Sequence, residues 1–181
     1  MTELKLENIY PVVAPKKRLE SFLHEDLLDV ALGFSVRVFA EDGAIVYESA
    51  MTEDDLETIG ISYDDIKKAA FENFKSRYSP KLVHFSVMDA LSTDKMAFGA
   101  VYLAFPEVLA GIADRFGDDL CIIPSSTEEL ILLKMSEAGS KDDVNSMLRD
   151  VNANPDCIDE DTYLFDNAYI FSRDTGRITK W

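Results

Sequence analysis

The segment from Met96 to Met135 constrains the fold more than any other part of the sequence. Residues 95–104 are apolar at nearly every position, so both alternating faces would be covered, as in a central β-strand. Apolar residues at helical spacing follow Pro106, which suits a first helical turn, and they end at Gly117, where a left-handed C-cap is expected. The sequence therefore predicts a central strand followed by a capped helix.

Two more short apolar runs complete this segment, at residues 120–123 and 130–133. Each has the length of a short buried strand. Between them, Ser126 and Glu129 have the spacing of a capping box, which predicts a single helical turn. The whole segment is thus predicted to run strand, helix, strand, turn, strand.

A hairpin is predicted in the N-terminal half of the chain. Apolar residues occupy every second position over residues 28–40, which is typical of a strand with one face in the core. An Asp42-Gly43 turn and a returning apolar run at 45–47 predict that residues 28–49 pair as a hairpin. The other face of the first strand carries polar residues, namely Asp29, Ser35 and Arg37.

Two Ser/Thr-x-x-Asp pairs predict the helices that follow. Thr52 with Asp55 should cap a short helix that ends at Gly60. Ser62 with Asp65 should cap a longer one, which Ser79-Pro80 would stop. The inward stripe of the longer helix is predicted to comprise Ile66, Ala69, Ala70, Phe74 and Tyr78.

Other segments of the first half are less regular. Residues 1–13 are predicted to form a weakly held, flexible arm, and residues 15–24 a helix with Leu19, Phe22 and Leu23 inward. Residues 82–91 fit either a short strand or a turn of helix, and the sequence leaves that choice open.

The C-terminal region begins with a helix capped by Ser140 and Asp143. A polar acidic loop over residues 152–161 follows it. A β-rich segment over 163–171 then turns at 174–176 into a last strand.

These elements predict the α+β fold class, with a mixed, largely antiparallel sheet and helices packed on it. An apolar content of 47% agrees with a globular protein, and residues 1–181 fit one domain. No apolar run approaches the length of a membrane span.

The net charge of −16 is unevenly distributed. Residues 1–40 hold five basic and six acidic residues, a net of −1, so the rest of the chain carries −15. No Lys or Arg occurs between Arg37 and Lys67 or between Arg149 and Arg173, yet these intervals hold nine and six acidic residues. Because phosphate contacts need Lys and Arg, direct binding to nucleic acid or an anionic membrane is not expected. The natural complement is a basic protein or a cation.

Carboxylates in these two intervals are the candidate partner-binding residues. Duplex DNA presents one negative charge per roughly 1.7 Å of its axis, so closely spaced carboxylates on rigid elements could mimic it. The helix dipole also favours acids at helix N-termini, and acidic surfaces often serve only solubility. The candidates are Glu41, Asp42, Glu53, Asp54, Asp55, Glu57, Asp64, Asp65, Asp156, Asp159, Glu160 and Asp161.

No catalytic motif stands out. Residues 150–161 resemble a calcium loop, but Pro155 occupies the position where that loop needs glycine, so we interpret them as a polar loop after a helix. Ser92 and Lys95 have the spacing of some acyl-transfer motifs without the companion motifs. The Ser125-Ser126 pair lacks a nucleophile elbow and is interpreted as helix capping.

The histidines and cysteines form no metal-binding pattern. His24, His84, Cys121 and Cys157 are widely separated in sequence, so no zinc spacing exists and neither a metal nor a cofactor is predicted. Two cysteines without a disulfide framework indicate a reducing cytoplasm. One alternative stays open, an enzyme or metal-binding site assembled in space from carboxylates, His84 and Cys121.

Several phrases in the sequence carry a resemblance to other proteins. They are the strand at 28–38, the capped helices of 52–70, Phe98-Gly-Ala-Val-Tyr, Pro106-Glu-Val-Leu, residues 120–129 and Val151-Asn-Ala. Together they resemble an uncharacterised bacterial family of acidic stand-alone proteins from gut Firmicutes, often near mobile elements. The resemblance implies a fold and a setting, and no activity. In type, and not by motif, such a protein is similar to anti-CRISPR and anti-restriction proteins.

The sequence therefore favours a non-enzymatic, acidic binding protein that inhibits a nucleic-acid-binding bacterial defence enzyme in an anti-CRISPR-like way. Its partner would be a basic protein, such as a CRISPR nuclease or another nucleic-acid-binding nuclease. Besides the site with His84 and Cys121, a second alternative stays open, an interaction module whose acidic surface is merely solubilising.

Overall fold

The N-terminal part of the chain forms a sheet around one long strand. A computed structural model describes residues 4–85, 88–124 and 126–181. The first sheet consists of β1 (Ile9–Pro15), β2 (His24–Leu27), β3 (Val30–Phe39) and β4 (Ile45–Ala50). β1 pairs with one edge of β3, while β2 and β4 pair with successive parts of its other edge.

The second sheet has six strands in the order β10-β9-β7-β8-β6-β5. They are β5 (Pro80–Phe85), β6 (Met88–Thr93), β7 (Leu120–Ile123), β8 (Leu130–Lys134), β9 (Tyr169–Ser172) and β10 (Arg177–Lys180). All pairings between described strands in both sheets are antiparallel. The predicted α+β fold class is confirmed.

Helices connect and cover the sheets. The α-helices are α1 (Lys16–Leu19), α2 (Glu53–Ile59), α3 (Tyr63–Arg77), α4 (Pro106–Phe116) and α5 (Lys141–Asn152). Short 3-10 helices span Leu6–Asn8, Gly99–Ala104 and Met135–Glu137.

The largest apolar core joins the two sheets. Val13 and Leu32 of the first sheet pack in one cluster with Leu91 and Leu132 of the second, and Tyr102 of the central 3-10 helix belongs to the same cluster. A further cluster packs α2 and α3 on the first sheet. The segment Gly99–Ala104 therefore lies at the junction of the two sheets.

The predicted ends of α2 and the predicted start of α3 are confirmed. α2 begins with a capping box between Thr52 and Asp55 and ends at Gly60, whose φ is 69°. Ser62 accepts a hydrogen bond from the backbone of Asp65 at the start of α3. The hairpin of β3 and β4, the strands β7 and β8, the capped helices α4 and α5, and the final strand β10 also match the prediction.

The central strand predicted at 95–104 is wrong. Met96 and Phe98 adopt left-handed conformations with φ of 57° and 62°, and these break the extended chain. Residues 99–104 form a 3-10 helix that contacts β1, β6 and α4. Because this helix is buried on all sides, its apolar run has no periodicity by which a strand could be distinguished from a helix.

β3 is covered on both faces, which corrects the prediction of a single core face. Ser35 and Arg37, expected on a polar face, are buried. At the start of the strand, Leu28 and Asp29 instead form the turn from β2, an element that the sequence did not predict. The polar face is buried because α1 and Phe98 cover it: Leu19 lies beside Gly33, and the ring of Phe98 lies against the guanidinium of Arg37.

The N-terminal segments also differ from expectation. Residues 9–13, assigned by the sequence to a flexible arm, belong to β1, where Ile9 and Tyr10 are buried. The helix predicted over 15–24 is limited to the single turn of α1. Leu19 and Leu23 are buried as predicted, but Phe22 is 38% exposed.

The structure also decides the predictions for three further segments. Within the predicted segment 82–91, residues 82–85 belong to β5 and residues 88–91 to β6, and the two strands pair with each other; residues 86 and 87 lie outside the described residues. The helical turn predicted at Ser126 is wrong, because Ser126 forms an isolated bridge with Tyr163. The β-rich segment predicted over 163–171 is reduced to β9.

Candidate functional site

Two helix N-termini present a group of carboxylates that we call the α2–α3 acidic surface. It comprises Glu53, Asp54, Asp55, Glu57, Asp64 and Asp65. Asp55 accepts a 2.7 Å hydrogen bond from the backbone N–H of Thr52, and Asp65 accepts a 2.7 Å bond from the hydroxyl of Ser62. These two acids therefore have a structural role as helix caps. The other four are exposed and form no side-chain hydrogen bond or ion pair within the described residues.

Glu41 and Asp42 lie apart from this surface, at the tip of the β3–β4 hairpin. The hairpin tip is held by Arg77, which donates a 3.2 Å hydrogen bond to the carbonyl of Gly43. Arg77 is the last residue of α3, while Asp64 and Asp65 are in its first turn. A helix of 15 residues is roughly 22 Å long. The structure thus does not bring Glu41 and Asp42 together with the other acids of the first interval.

The second predicted group, Asp156, Asp159, Glu160 and Asp161, lies in the turns that follow α5. Asp159 accepts hydrogen bonds of 2.7 Å from both the hydroxyl and the backbone of Thr162, and these bonds lower the pKa of its carboxyl. Within the described part of the chain, none of the twelve candidate acids forms an ion pair with a lysine or arginine.

Residues 18–24 link the two acidic groups. The guanidinium of Arg18 donates to the backbone carbonyls of Glu160 and Asp161. On the other side, residues 20–22 and His24 line a surface hollow together with Glu53 and Asp54. The acidic groups therefore flank one short segment that runs from the end of α1 to the start of β2.

The structure separates His84 from Cys121. His84 lies opposite Asp89 on β6, Asp89 opposite Leu132 on β8, and Leu132 opposite Ile122 on β7. Three strand spacings of about 4.8 Å place His84 roughly 14 Å from the strand that carries Cys121. Cys121 is fully buried, and burial raises the pKa of its thiol to about 12. This geometry counts against a site that uses both residues.

The other candidate motifs are also dispersed. Asp150 and Asn152 belong to α5, so residues 150–161 do not form one loop. Ser126 accepts hydrogen bonds from the backbone N–H groups of Glu128 and Glu129, as a capping residue would, while Ser125 lies outside the described residues. Among the residues that the structure describes, no group of three His, Cys, Asp or Glu side chains is placed to hold a metal ion.

A cleft of about 270 Å³ lies where the two sheets meet, and sequence reasoning did not predict it. Its apolar wall includes Leu19, Phe22 and Val101. Its polar lining consists of Arg18, Ser35, Arg37, Glu48, Thr127 and Glu128. We call it the Arg37 cleft.

Arg37 is the central polar residue of this cleft. Its side chain is 1% exposed, and its Nε donates a 2.7 Å hydrogen bond to Oε1 of Glu48. The hydroxyl of Ser35 donates to the same oxygen at 2.8 Å. The guanidinium lies over the ring of Phe98, 4.0 Å from its centroid. Nη1 of Arg37 is buried and has no hydrogen-bond partner among the described residues.

The opposite rim of the cleft carries Glu128. Burial raises the pKa of its carboxyl, and the nearby charges of Asp159 and Glu129 raise it further. The charge of Asp159, in the second acidic group, therefore acts on a residue that lines the cleft. Because Glu128 is protonated more readily than an ordinary glutamate, it opposes a bound anion less.

One sequence signal could have suggested this site. Arg37 and Glu48 occupy the two arms of the predicted hairpin, and their observed register is directly cross-strand. Opposite charges at such positions stabilise a strand pair. Phe98 and Val101 form part of the cleft wall, but they are distant from Arg37 in sequence and approach it only in the tertiary fold.

The fold, the acidic surface and the Arg37 cleft define an antiparallel α+β protein with an acidic exterior and a mostly apolar cleft lined by a buried arginine. Residues 83–173, half of the chain, match the model of a family of unknown function, DUF5688. The chain belongs to this family. No curated protein and no solved structure matches it. Within the described residues, the helices are too short or too polar to cross a membrane.

Proposed function

We propose that this protein is a non-enzymatic, acidic binding protein whose partner is a basic protein. In its most specific form, the partner is a nucleic-acid-binding bacterial defence enzyme, and the binding inhibits it in an anti-CRISPR-like way. The bacterial setting of the proposal, gut Firmicutes and mobile elements, comes from the sequence resemblance alone.

The observation that carries the proposal is that four carboxylates of the α2–α3 acidic surface are exposed and have no cationic partner within the described chain. These carboxylates belong to Glu53, Asp54, Glu57 and Asp64. They lie on helices whose first turns are fixed by side-chain caps. Uncompensated charges on rigid elements attract a complementary surface and accelerate its association.

The second acidic group extends this surface. Glu160 and Asp161 are attached through Arg18 to the segment that also borders Glu53 and Asp54. A basic groove that normally holds a nucleic-acid backbone would meet carboxylates on both sides of residues 18–24. The hairpin tip with Glu41 and Asp42 lies at the far end of α3 and is left out of the proposed contact.

The proposal is tested by capture from a bacterial lysate followed by competition with DNA. The tagged protein should retain a basic nucleic-acid enzyme at low salt and release it as salt rises, because screening weakens contacts between exposed charges. Addition of duplex DNA should displace the protein from the captured enzyme, and the protein should inhibit cleavage of that DNA.

A matched pair of variants tests whether the α2–α3 acidic surface contacts the partner. The test variant carries Glu53→Gln, Asp54→Asn, Glu57→Gln and Asp64→Asn, which spare the capping acids. The control removes the same number of charges at other exposed, unpaired acids, with Glu7→Gln, Glu72→Gln, Asp142→Asn and Asp174→Asn. Binding should fall in the test variant alone. Equal loss in both would indicate a general effect of net charge, and capture of no enzyme would favour an acidic surface that serves only solubility.

A further inference from the structure

Beyond binding a protein, the geometry points to a small-molecule site in the Arg37 cleft, whose ligand is a monocarboxylate with an apolar body. Its carboxylate would accept a hydrogen bond from the guanidinium of Arg37, which lines the cleft. Its body would occupy the apolar part of the cleft beside Leu19, Phe22 and Val101. The inference is independent of the acidic surface and of its protein partner.

The first reason is the unpartnered donor. A buried polar group without a hydrogen bond costs about 1–3 kcal/mol, and a charged group costs more. Proteins therefore satisfy nearly all such groups, and an exception is often functional. Arg37 meets only one carboxylate oxygen, through Nε, while its Nη1 has no acceptor within the described chain.

The second reason is that the guanidinium is held in place before any ligand arrives. Glu48 fixes Nε, Ser35 fixes the same carboxylate oxygen, and Phe98 supports the guanidinium plane. Phe98 itself has a left-handed backbone with a φ of 62°. Such strain in a residue other than glycine costs on the order of 1–3 kcal/mol and is typical of functional sites. A fixed donor binds an acceptor with little loss of side-chain entropy.

The third reason is the chemistry of the lining. Small-molecule sites are mostly apolar clefts with a few fixed polar groups, and 270 Å³ is close to the lower end of their usual range of about 300–1,000 Å³. Two arginines and two glutamates line the cleft. Glu48 is paired with Arg37, and burial raises the pKa of Glu128. Arg18 donates only to neutral backbone carbonyls. One charged acceptor thus fits this lining, because charge-assisted hydrogen bonds are the stronger ones. The net charge of −16 does not prevent this, because exposed charges beyond about 8–10 Å are largely screened.

The test uses 3-phenylpropionate and octanoate as probes, with 3-phenylpropanamide as the neutral match of the first. Amide chemical shifts of the full-length protein, labelled with ¹⁵N, are followed during titration. At least one carboxylate should saturate with a Kd of about 1 mM or tighter, and the amide should bind about tenfold more weakly. The shifts should be concentrated at Ser35, Ala50 and Val101. Failure of both carboxylates to saturate, or equal binding of the amide, would overturn the inference.

Two variants locate the binding. Ala50→Leu fills the cleft from β4 and leaves the Arg37–Glu48 pair intact. Arg37→Met combined with Glu48→Gln removes the donor and its counter-charge together, so no buried charge remains unpaired. Both should abolish saturation, and Ala50→Leu decides the matter if the double variant does not fold. Unchanged binding in a folded Ala50→Leu protein would show that the probe lies elsewhere and would refute the assignment.

Discussion

Oε1 of Glu48 accepts the Nε–H of Arg37 at 2.7 Å, across the hairpin of β3 and β4. The two partners differ in environment, because the side chain of Arg37 is 1% exposed and that of Glu48 is 39% exposed. Glu48 therefore contacts both the buried guanidinium of Arg37 and the solvent. The burial of this cation depends on the presence of the carboxylate.

We expect Glu48→Gln to destabilise the fold by about 2 kcal/mol. Removal of one partner from a fully buried pair costs about 3–5 kcal/mol, and the partial exposure of Glu48 reduces this cost. Urea unfolding followed by circular dichroism measures the change. Glu57→Gln is the control, since Glu57 is exposed and unpaired, and it should shift the free energy of unfolding by less than about 0.5 kcal/mol. Equal effects in the two variants would contradict a structural role for the pair.

Gly99→Ala should be strongly destabilising, whereas Gly111→Ala should be mildly stabilising. A Cβ at Gly99 would lie 2.6 Å from the carbonyl oxygens of Leu91 in β6 and of Glu128 in the segment just before β8, and both are backbone atoms. Such overpacking costs about 1–3 kcal/mol or more. Gly111 is inside α4 with no atom within 4 Å of the added Cβ, so alanine should gain about 0.5–1 kcal/mol there. Thermal unfolding of both variants checks the opposite signs.

The two cysteines should differ sharply in reactivity. Cys157 is exposed, while Cys121 is buried in β7 and its thiol pKa is raised to about 12 by burial. Since the thiolate is the reactive form, Cys121 should be protected at pH 8 in the native protein. Alkylation with iodoacetamide and mass spectrometry should therefore show one rapid modification, and a second only after unfolding. Rapid double labelling of the native protein would contradict the burial of Cys121.

Asp118 should contribute to the loss of stability at acidic pH. Its Oδ2 accepts hydrogen bonds from the hydroxyl and the backbone N–H of Ser136, at 2.6 and 3.0 Å, and these bonds lower its pKa. A lowered pKa in the folded state gives stability that is present above the unfolded pKa near 3.8 and is lost as pH falls through the folded value.

Ser136→Ala removes the largest cause of that shift. We expect a loss of roughly 1 kcal/mol at pH 7, reduced from the value of a buried charged bond because the site is partly exposed. The difference from wild type should shrink as pH falls below about 4, where Asp118 becomes protonated in both states. Ser21→Ala, at an exposed serine without a hydrogen bond in the described chain, is the control. A difference that persists unchanged at low pH would exclude Asp118 as its source.

Local chemistry explains what could be predicted from the sequence. The capping pairs of α2, α3 and α5 and the glycine that ends α4 depend only on neighbouring residues, so they were found from spacing alone. The β3–β4 hairpin was found for the same reason, through its turn and its alternating pattern.

Long-range packing explains what could not be predicted. Residues 99–104 form a helix because left-handed residues precede them and two sheets enclose them, and neither cause is visible in the apolar run itself. The sequence places Arg37 on a polar face because it alternates with apolar residues along the strand. Its burial requires Phe98, which meets it only after the sheets have come together. The Arg37 cleft was missed for that reason, while the exposed acids of the α2–α3 acidic surface could be named from composition.

The strand order of the second sheet has a consequence for folding. β7 pairs with β8 on one edge, but its other edge must wait for β9, which follows about 45 residues later in the chain. Until then, the apolar segment Leu120–Ile123 has an unpaired edge, which is a template for pairing with another chain. Completion of this sheet during synthesis therefore waits for residues 169–172, and a chain truncated before Tyr169 should aggregate.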